Sequence, residues 1–209
     1  MRLTIIRPVK TYIQFEISNI TIFKSKTLKI FTDGSYNEKI KGFGYSIVYP
    51  HNELWNFKGF NKDFKRPNNN KAELYAIYKA LFLAISMFII TKSKFKSIIL
   101  YSDSLECIKG ITNYYKKSIF YNRYTKKIDK ETKELYKKIK NQLEALKLLN
   151  KPVSFKFVKA HINKKKYPFI FNNIADKLAK SALLKNNQIY LSLFFKNKKI
   201  IKFIELINQ

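Results

Sequence analysis

Alternating apolar and polar residues predict three adjacent strands near the start of the chain. From Leu28 the sequence reads as the strand LKIFTDG, the turn NEKIKG, the strand GFGYSIVYP, a turn at His51 and Asn52, and the strand ELWNFKGFN. A period of two residues, interrupted by turn residues, is typical of strands joined by short connections. We therefore predict a three-strand antiparallel meander.

Helical spacing begins after three consecutive asparagines, Asn68, Asn69 and Asn70. From near Lys71 the apolar residues recur every three or four positions, which indicates an amphipathic helix, and asparagine is a favourable residue for capping its start. The run SIILYSD that follows is almost wholly apolar, as in a central strand buried on both faces. Ser104 can cap the next helix, LECIKGITNYY.

The second half of the chain predicts two more helices and one more strand of the sheet. Residues 129–149 have the stripe of a charged amphipathic helix, which Pro152 ends, and VSFKFVKAH then alternates as a strand. The basic loop INKKKYPFIF leads to a last helix over about 172–185. Beyond it, IYLSLFF and KIIKFIEL have the alternation of a hairpin.

This order of elements predicts an α/β (α+β mixed) fold: a five-stranded mixed sheet, with three antiparallel strands followed by two parallel additions, flanked by helices. We divide the chain into an N-terminal extension (1–27), one domain (28–185) and a C-terminal extension (186–209). No motif decides the role of either extension. Neighbouring parallel strands would bring Asp33 and Asp103, each at a strand end, to one edge of the sheet.

Composition points to a polyanionic partner. The 209 residues carry 42 Lys and Arg against 14 Asp and Glu, a formal charge of +28, and 46% of the residues are apolar. Such a charge suits nucleic acid or an acidic membrane surface, and the interleaved aromatic residues favour nucleic acid. An AT-rich genome would also produce many lysines, so the few acids are more informative than the many bases.

Other features narrow the class of protein. The single cysteine, Cys107, excludes an intramolecular disulfide and favours a reducing intracellular compartment, cytoplasm or nucleus, with a viral origin left open. The apolar helix from Ala72 to Ile90 contains Glu73 and Lys79, so we interpret it as buried rather than as a membrane span. No apolar run precedes Glu16, which disfavours a secretory signal. We expect a monomer that does not bind membranes.

Four carboxylates stand where an apolar strand ends or a helix begins: Asp33, Glu73, Asp103 and Asp176. Read singly, each has an ordinary explanation as a turn residue, a first-turn acid, a helix cap or a solvated charge. Together at one sheet edge they would repel each other and bind cations. An all-oxygen site favours a hard metal ion such as Mg2+ or Mn2+.

The four segments in this order resemble type 1 ribonuclease H over about 28–185. The resemblance is carried by DGS after an apolar strand, NNKAEL opening a helix, YSDS ending a strand, and a histidine followed by NNIADKLA. It implies the ribonuclease H-like fold and the cleavage of the RNA strand of an RNA/DNA hybrid. It also implies two Mg2+ ions, replaceable by Mn2+, held by the family's four metal-binding carboxylates, which fall on Asp33, Glu73, Asp103 and Asp176. Asp33 would bridge the two ions.

The resemblance also assigns residues outside the carboxylate set. His161 matches the family's loop histidine, which assists proton transfer or product release. The loop after it departs from the family's pattern, because KKKYPFIF lengthens it and Ala160 replaces a usual glycine. The positions that match the family's substrate contacts are Gly34, Ser35, Asn69, Asn70, Tyr114, Lys116, Lys117 and Asn172.

Two other functions also fit the sequence. An integrase, transposase or junction-resolving nuclease would share the fold but cut DNA. A protein that binds hybrids or other nucleic acid without catalysis would share the charge. The position of Glu73 and the His161 loop argue against the first, and the complete set of acids argues against the second.

Overall fold

The structure is a computed structural model that describes seven stretches of the chain: 26–51, 53–61, 63–91, 95–116, 128–162, 166–184 and 190–192. The elements, in chain order, are β1 (Thr27–Asn37), β2 (Gly42–His51), β3 (Glu53–Asn61), α1 (Asn69–Thr91), β4 (Ser97–Ser102), α2 (Leu105–Lys116), α3 (Lys130–Leu148), β5 (Val153–Phe157), α4 (Phe169–Leu184) and β6 (Tyr190–Ser192). The predicted N-terminal extension lies almost wholly outside the described residues, as does the second strand predicted for the tail.

The strands form one mixed sheet in the order β5-β4-β1-β2-β3-β6. The pairs β1–β2 and β2–β3 are antiparallel, whereas β4 runs parallel to both β1 and β5. The predicted five-stranded mixed sheet is therefore confirmed. The short strand β6 adds to it, because residues 190–192 pair antiparallel with β3.

Two apolar clusters cover the two faces of the sheet. The larger cluster packs α1, α2 and α3 on one face, and its buried residues include Ile30 and Leu100 of the central strands. The smaller cluster packs α4 on the other face around Phe31 and Phe171. Burial on both faces explains why β4 reads as an apolar run rather than an alternating one.

Three positional predictions were wrong. Asp33 lies inside β1, which continues to Asn37, rather than at its end. Helices α1 and α4 begin at Asn69 and Phe169, before the predicted starts near Lys71 and Asn172, so neither Glu73 nor Asp176 is in a first turn. In α4 the reason is local: Pro168 precedes the helix and its carbonyl oxygen accepts a hydrogen bond from Asn172 N at 3.4 Å.

Among the described residues, none of the helices has the combination of length and apolar character needed to cross a bilayer.

Candidate active site

The parallel register of β1 and β4 places Asp33 beside Asp103. The last paired residues of the two strands are Phe31 and Tyr101, whose rings stack with centroids 4.5 Å apart. Each acid follows its aromatic residue by two positions: Asp33 is within β1, and Asp103 is the first residue after β4. The sequences at these points, Phe-Thr-Asp and Tyr-Ser-Asp, repeat the same order of residue types. The two aspartates therefore lie side by side just beyond the paired residues.

Glu73 reaches Asp33 because α1 crosses β1 at a glycine. A Cβ atom built on Gly34 would lie 2.2 Å from the carbonyl carbon of Ala72 and 2.4 Å from Glu73 N. No side chain fits at this distance, so glycine is what allows the helix backbone to press against the strand. This close approach brings a carboxylate oxygen of Glu73 within 4.8 Å of one of Asp33.

The start of α1 is fixed by two of the three asparagines. Asn68 caps the helix, since its Oδ1 atom accepts a hydrogen bond from Lys71 N at 2.8 Å. Asn69 instead accepts one from Tyr36 N at 3.2 Å, which ties the helix to the far end of β1. Asn70 has Cys107 Sγ 3.7 Å from its Oδ1 atom. Capping thus explains neither Asn69 nor Asn70, and their contact with substrate stays a prediction.

Asp33, Glu73 and Asp103 form a compact oxygen cluster. Each offers a carboxylate oxygen such that all three oxygens lie within 4.8 Å of one another. Two carboxylate oxygens of these residues, Asp33 Oδ2 and Glu73 Oε2, are buried and make no hydrogen bond. Buried carboxylate oxygens without donors are costly to a folded protein, and a divalent ion would satisfy them. The residues present therefore fit a hard cation.

The electrostatics of the cluster support the same conclusion. Burial, with the charge of Asp103 second, raises the pKa of Asp33 to about 7. Burial and the charges of Asp33 and Asp103 raise the pKa of Glu73 well above its usual value. Burial also raises the pKa of Asp103, although a hydrogen bond from Asn172 opposes the change. The three acids resist being ionised at the same time, so a bound positive ion would stabilise their ionised forms.

Asp176 stands at the edge of this cluster on α4. Its charge contributes to raising the pKa values of both Asp33 and Asp103, yet it is not among the three acids whose oxygens meet within 4.8 Å. Lys180, one helical turn further on, lies 2.7 Å from Asp176 Oδ1 and 2.9 Å from Oδ2. Asp176 is therefore close enough to act on the cluster while paired with a lysine of its own helix.

Helix α4 is held against β2 by a second glycine and a serine. A Cβ atom on Gly44 would lie 2.2 Å from the carbonyl oxygen of Ala179. Ser46 Oγ donates a buried hydrogen bond of 2.7 Å to the carbonyl oxygen of Ala175, the residue before Asp176. These contacts determine how far Asp176 stands from the carboxylates of β1 and β4.

Asn172 has a contact that sequence reasoning did not predict. Its predicted role is contact with the substrate, but it is only 1% exposed and its amide nitrogen donates to Asp103 Oδ2 at 3.2 Å. The contact orients the carboxylate of Asp103 within the cluster. The signal in the sequence was its position four residues before Asp176, which places both on one face of α4.

His161 lies in the exposed turn after β5 with a positive φ of 55°. Burial raises the pKa of Asp103, and His161 is among the weaker influences that oppose this change. A proton-transfer or product-release role stays a prediction.

The lengthened loop after His161 is anchored under the two aspartates. The Tyr167 ring packs edge-on against Phe31 at 6.0 Å, and its hydroxyl group hydrogen-bonds that of Tyr101. Lys29 Nζ lies 4.6 Å from the centre of the same ring. The insertion therefore contributes an aromatic side chain to the packing beneath the site.

The other predicted substrate positions are less informative. Ser35 lies in β1 opposite Gly44, next to the cluster. The Tyr114 ring stacks on Tyr136 at 5.4 Å with an interplanar angle of 16°, against the larger core. Lys116 is described only as the last residue of α2, and Lys117 lies outside the described residues. Their contacts with substrate stay predictions.

A model of the family described as RNase H matches residues 25–184. The chain belongs to the RNase H family. The family resemblance read from the sequence is thereby confirmed, and as a member the chain is a ribonuclease H, a nuclease of RNA/DNA hybrids. No curated protein matches the chain.

Solved structures share the RNase H fold with this chain. The RNase H domain here is similar to LC11-RNase H1, solved in complex with an RNA/DNA hybrid, at 17% identity and a TM-score of 0.53, over 75% of this chain and 96% of that one. It is also similar to the protease-reverse transcriptase of prototype foamy virus, at 17% identity and a TM-score of 0.55, over 77% of this chain and 21% of that one. RNase H1 of the archaeon Halobacterium salinarum matches at 20% identity over 75% of this chain and 97% of that one, with a TM-score of 0.46.

Proposed function

We propose that this ribonuclease H cleaves the RNA strand of RNA/DNA hybrids by a two-metal mechanism, with Mg2+ held by Asp33, Glu73, Asp103 and Asp176. The observation that carries the proposal is the cluster of three carboxylates within 4.8 Å, two of whose buried oxygens make no hydrogen bond. A hybrid substrate is supported by family membership and by the hybrid bound to the LC11 enzyme. Mn2+ has the same preference for oxygen ligands and would substitute.

Bound divalent ions would supply a nucleophilic water and neutralise charge on the reacting phosphate. Asp33 would be the most central ligand. One of its oxygens lies within 4.8 Å of oxygens of Glu73 and Asp103, and the charges of Asp103 and Asp176 both raise its pKa. Asp176 would have to leave Lys180, wholly or in part, to become a ligand. Asn172 would hold Asp103 in its orientation throughout.

Two further groups of residues act around the carboxylates. His161, exposed in the turn after β5, would exchange a proton with solvent or with the product. Gly34, Ser35, Asn69 and Asn70 surround the junction of β1 and α1, where a ribose 2'-hydroxyl could be read by backbone and amide groups. Choice of RNA over DNA would depend on those contacts.

The test is a gel assay with end-labelled RNA annealed to DNA, compared with duplex DNA of the same sequence, with and without Mg2+. We expect cleavage of the RNA strand alone, and only with the metal ion. The variant Asp103→Asn should abolish cleavage while leaving hybrid binding in place, because it removes one ligand charge and keeps the side-chain shape. Cutting of duplex DNA would instead assign a DNA nuclease of the same fold.

Binding without cleavage would assign the alternative of a nucleic-acid-binding protein without catalysis. An unimpaired Asp103→Asn enzyme would contradict the metal assignment. The prediction of a monomer in a reducing intracellular compartment still depends only on the sequence and on the single cysteine, Cys107, which is buried as a free thiol.

A further inference from the structure

A buried lysine connects the helix that carries Glu73 to the start of α3. Lys71, in the first turn of α1, is 1% exposed although its side chain is among the largest in the protein's interior. Its ammonium group donates to the carbonyl oxygen of Arg66 at 2.8 Å and lies 2.6 Å from Glu131 Oε2 and 3.1 Å from Asp129 Oδ1. All three protons of the group therefore have acceptors.

A lysine at this place is costly on general grounds. Burial disfavours an ammonium ion, and the start of a helix carries positive partial charge that repels it. An apolar residue would fill the same space without either penalty, and buried ion pairs contribute little to stability in comparison. The presence of a lysine at position 71 is therefore better explained by the geometry that its directional contacts impose on the two helices than by the stability that these contacts add.

The two acids that hold Lys71 also determine where α3 begins. Asp129 caps α3, since its Oδ1 atom accepts a hydrogen bond from Thr132 N at 3.0 Å. Glu131 accepts one from Lys65 N at 2.8 Å, which attaches the loop before α1 to the same point. The ion-pair network of Lys71, Asp129 and Glu131 thus joins the first turn of α1 to the first turn of α3.

The surface on the outer side of this junction is basic. Lys130, Lys133 and Lys137 are exposed along the beginning of α3. Exposed lysines neutralise phosphates when a nucleic acid binds. In this arrangement a hybrid would bind with its reacting phosphate at the carboxylates and a neighbouring part of its backbone on α3. The distance between the carboxylates and α3 must therefore match the spacing of those two parts of the hybrid.

We propose that Lys71 is a positioning residue for hybrid binding: through Asp129 and Glu131 it fixes the basic start of α3 at a set distance from the carboxylate cluster. The proposal deepens the proposed function and depends on it. It assigns Lys71 no contact with the substrate, because the side chain is buried.

The decisive comparison is between two acids of the same helical turn. Glu131→Gln and Glu134→Gln each remove one negative charge near the proposed binding surface, so simple electrostatics predicts equal or tighter binding for both. Of these two glutamates, Glu131 is the one that pairs with Lys71, whereas Glu134 is exposed. We expect Glu131→Gln to weaken binding about fivefold or more, within the usual range of coupling between sites, and Glu134→Gln not to weaken it.

Binding is measured by fluorescence anisotropy of a labelled RNA/DNA hybrid in EDTA, so that cleavage does not enter the result. Lys71→Met should weaken binding like Glu131→Gln, and Lys71→Arg should recover most of it because a guanidinium can still bind both acids. In Mg2+, both weakened variants should show a higher KM with kcat nearly unchanged. Circular dichroism and thermal unfolding check that each variant is folded.

Wild-type affinity in Glu131→Gln, or equal weakening in Glu134→Gln, would overturn the role of Lys71. If Lys71→Met does not fold, the two glutamate variants still test the role of Lys71. The Glu131 side chain is 28% exposed and glutamine has nearly the same size, so we expect Glu131→Gln to fold. Failure of the wild-type protein to bind or cleave the hybrid would instead refute the proposed function itself. The two failures are therefore distinguishable.

Discussion

The carboxylate cluster should make the metal-free protein less stable as the pH rises. Asp33 is 4% exposed, and its pKa rises from 3.8 to about 7 on folding. Between those two values the folded state holds a proton that the unfolded state has lost. The free energy of unfolding therefore decreases as the pH rises through this window, and the decrease is complete above about pH 7.

The variant Asp33→Asn removes this penalty while keeping the size of the side chain. One pH unit corresponds to about 1.4 kcal/mol, so over the roughly two units between about pH 5 and pH 7 the wild-type protein should lose about 3 kcal/mol relative to the variant. In EDTA at about pH 8, we thus expect Asp33→Asn to be the more stable protein. A saturating divalent ion should narrow or reverse the order, because ligand binding stabilises the folded wild type.

The measurement is urea unfolding followed by circular dichroism at several pH values, with EDTA or with Mg2+. Taking the difference between variant and wild type cancels the titration of groups that Asp33 does not influence. Loss of the Asp33 charge also lowers the pKa of Glu73, which changes the difference in the same direction. Glu144→Gln, which neutralises an exposed acid on α3, serves as the control for the loss of one surface charge. The reasoning would be refuted by a flat difference for Asp33→Asn between about pH 5 and pH 8.

Three other outcomes follow from contacts around the site. Gly34→Ala should lower the free energy of unfolding by about 1–3 kcal/mol and greatly reduce cleavage, because the new Cβ atom must push the first turns of α1 away from β1. An unchanged free energy of unfolding would contradict this packing. Asn172→Leu removes a hydrogen bond that lowers the pKa of Asp103, so the acidic limb of the pH–rate profile should move to higher pH. An unmoved limb would contradict the proposal that Asn172 orients the Asp103 carboxylate. Hybrid affinity should fall with salt with a log-log slope of about 0.9 per phosphate neutralised, and a flat response would exclude binding by the basic surface of α3.

Much of the fold could be predicted because its signals are local. The meander alternates with a period of two, and the Asn-rich start of α1 and the apolar run of β4 each mark one element. The starts of α1 and α4 were placed too late because the capping residue is the earliest asparagine, Asn68, and because Pro168 permits a helix to begin directly after it. Such boundaries depend on a few hydrogen bonds rather than on periodicity.

The sequence predicts the four acids as a set, and the structure brings three of them, Asp33, Glu73 and Asp103, within 4.8 Å. The surroundings of the acids are not predicted. Burial of Asn172 against Asp103, the pairing of Asp176 with Lys180 and the burial of Lys71 all depend on which faces meet across more than one element. Sequence spacing within a helix gives the face of a residue but not its partner on another element. Lys71 in particular reads as an ordinary first-turn lysine until the start of α3 is placed against it.

The repeated order of residue types in β1 and β4 also limits how the chain can change in length. Thr32 and Ser102, between aromatic residue and aspartate, are both 0% exposed, so neither strand contains a position that could be dropped without consequence. Deleting one residue there would turn the aspartate to the opposite side of the sheet, away from its neighbour. Functional descendants of this chain should accept insertions and deletions between His161 and Tyr167 but keep both three-residue segments at constant length.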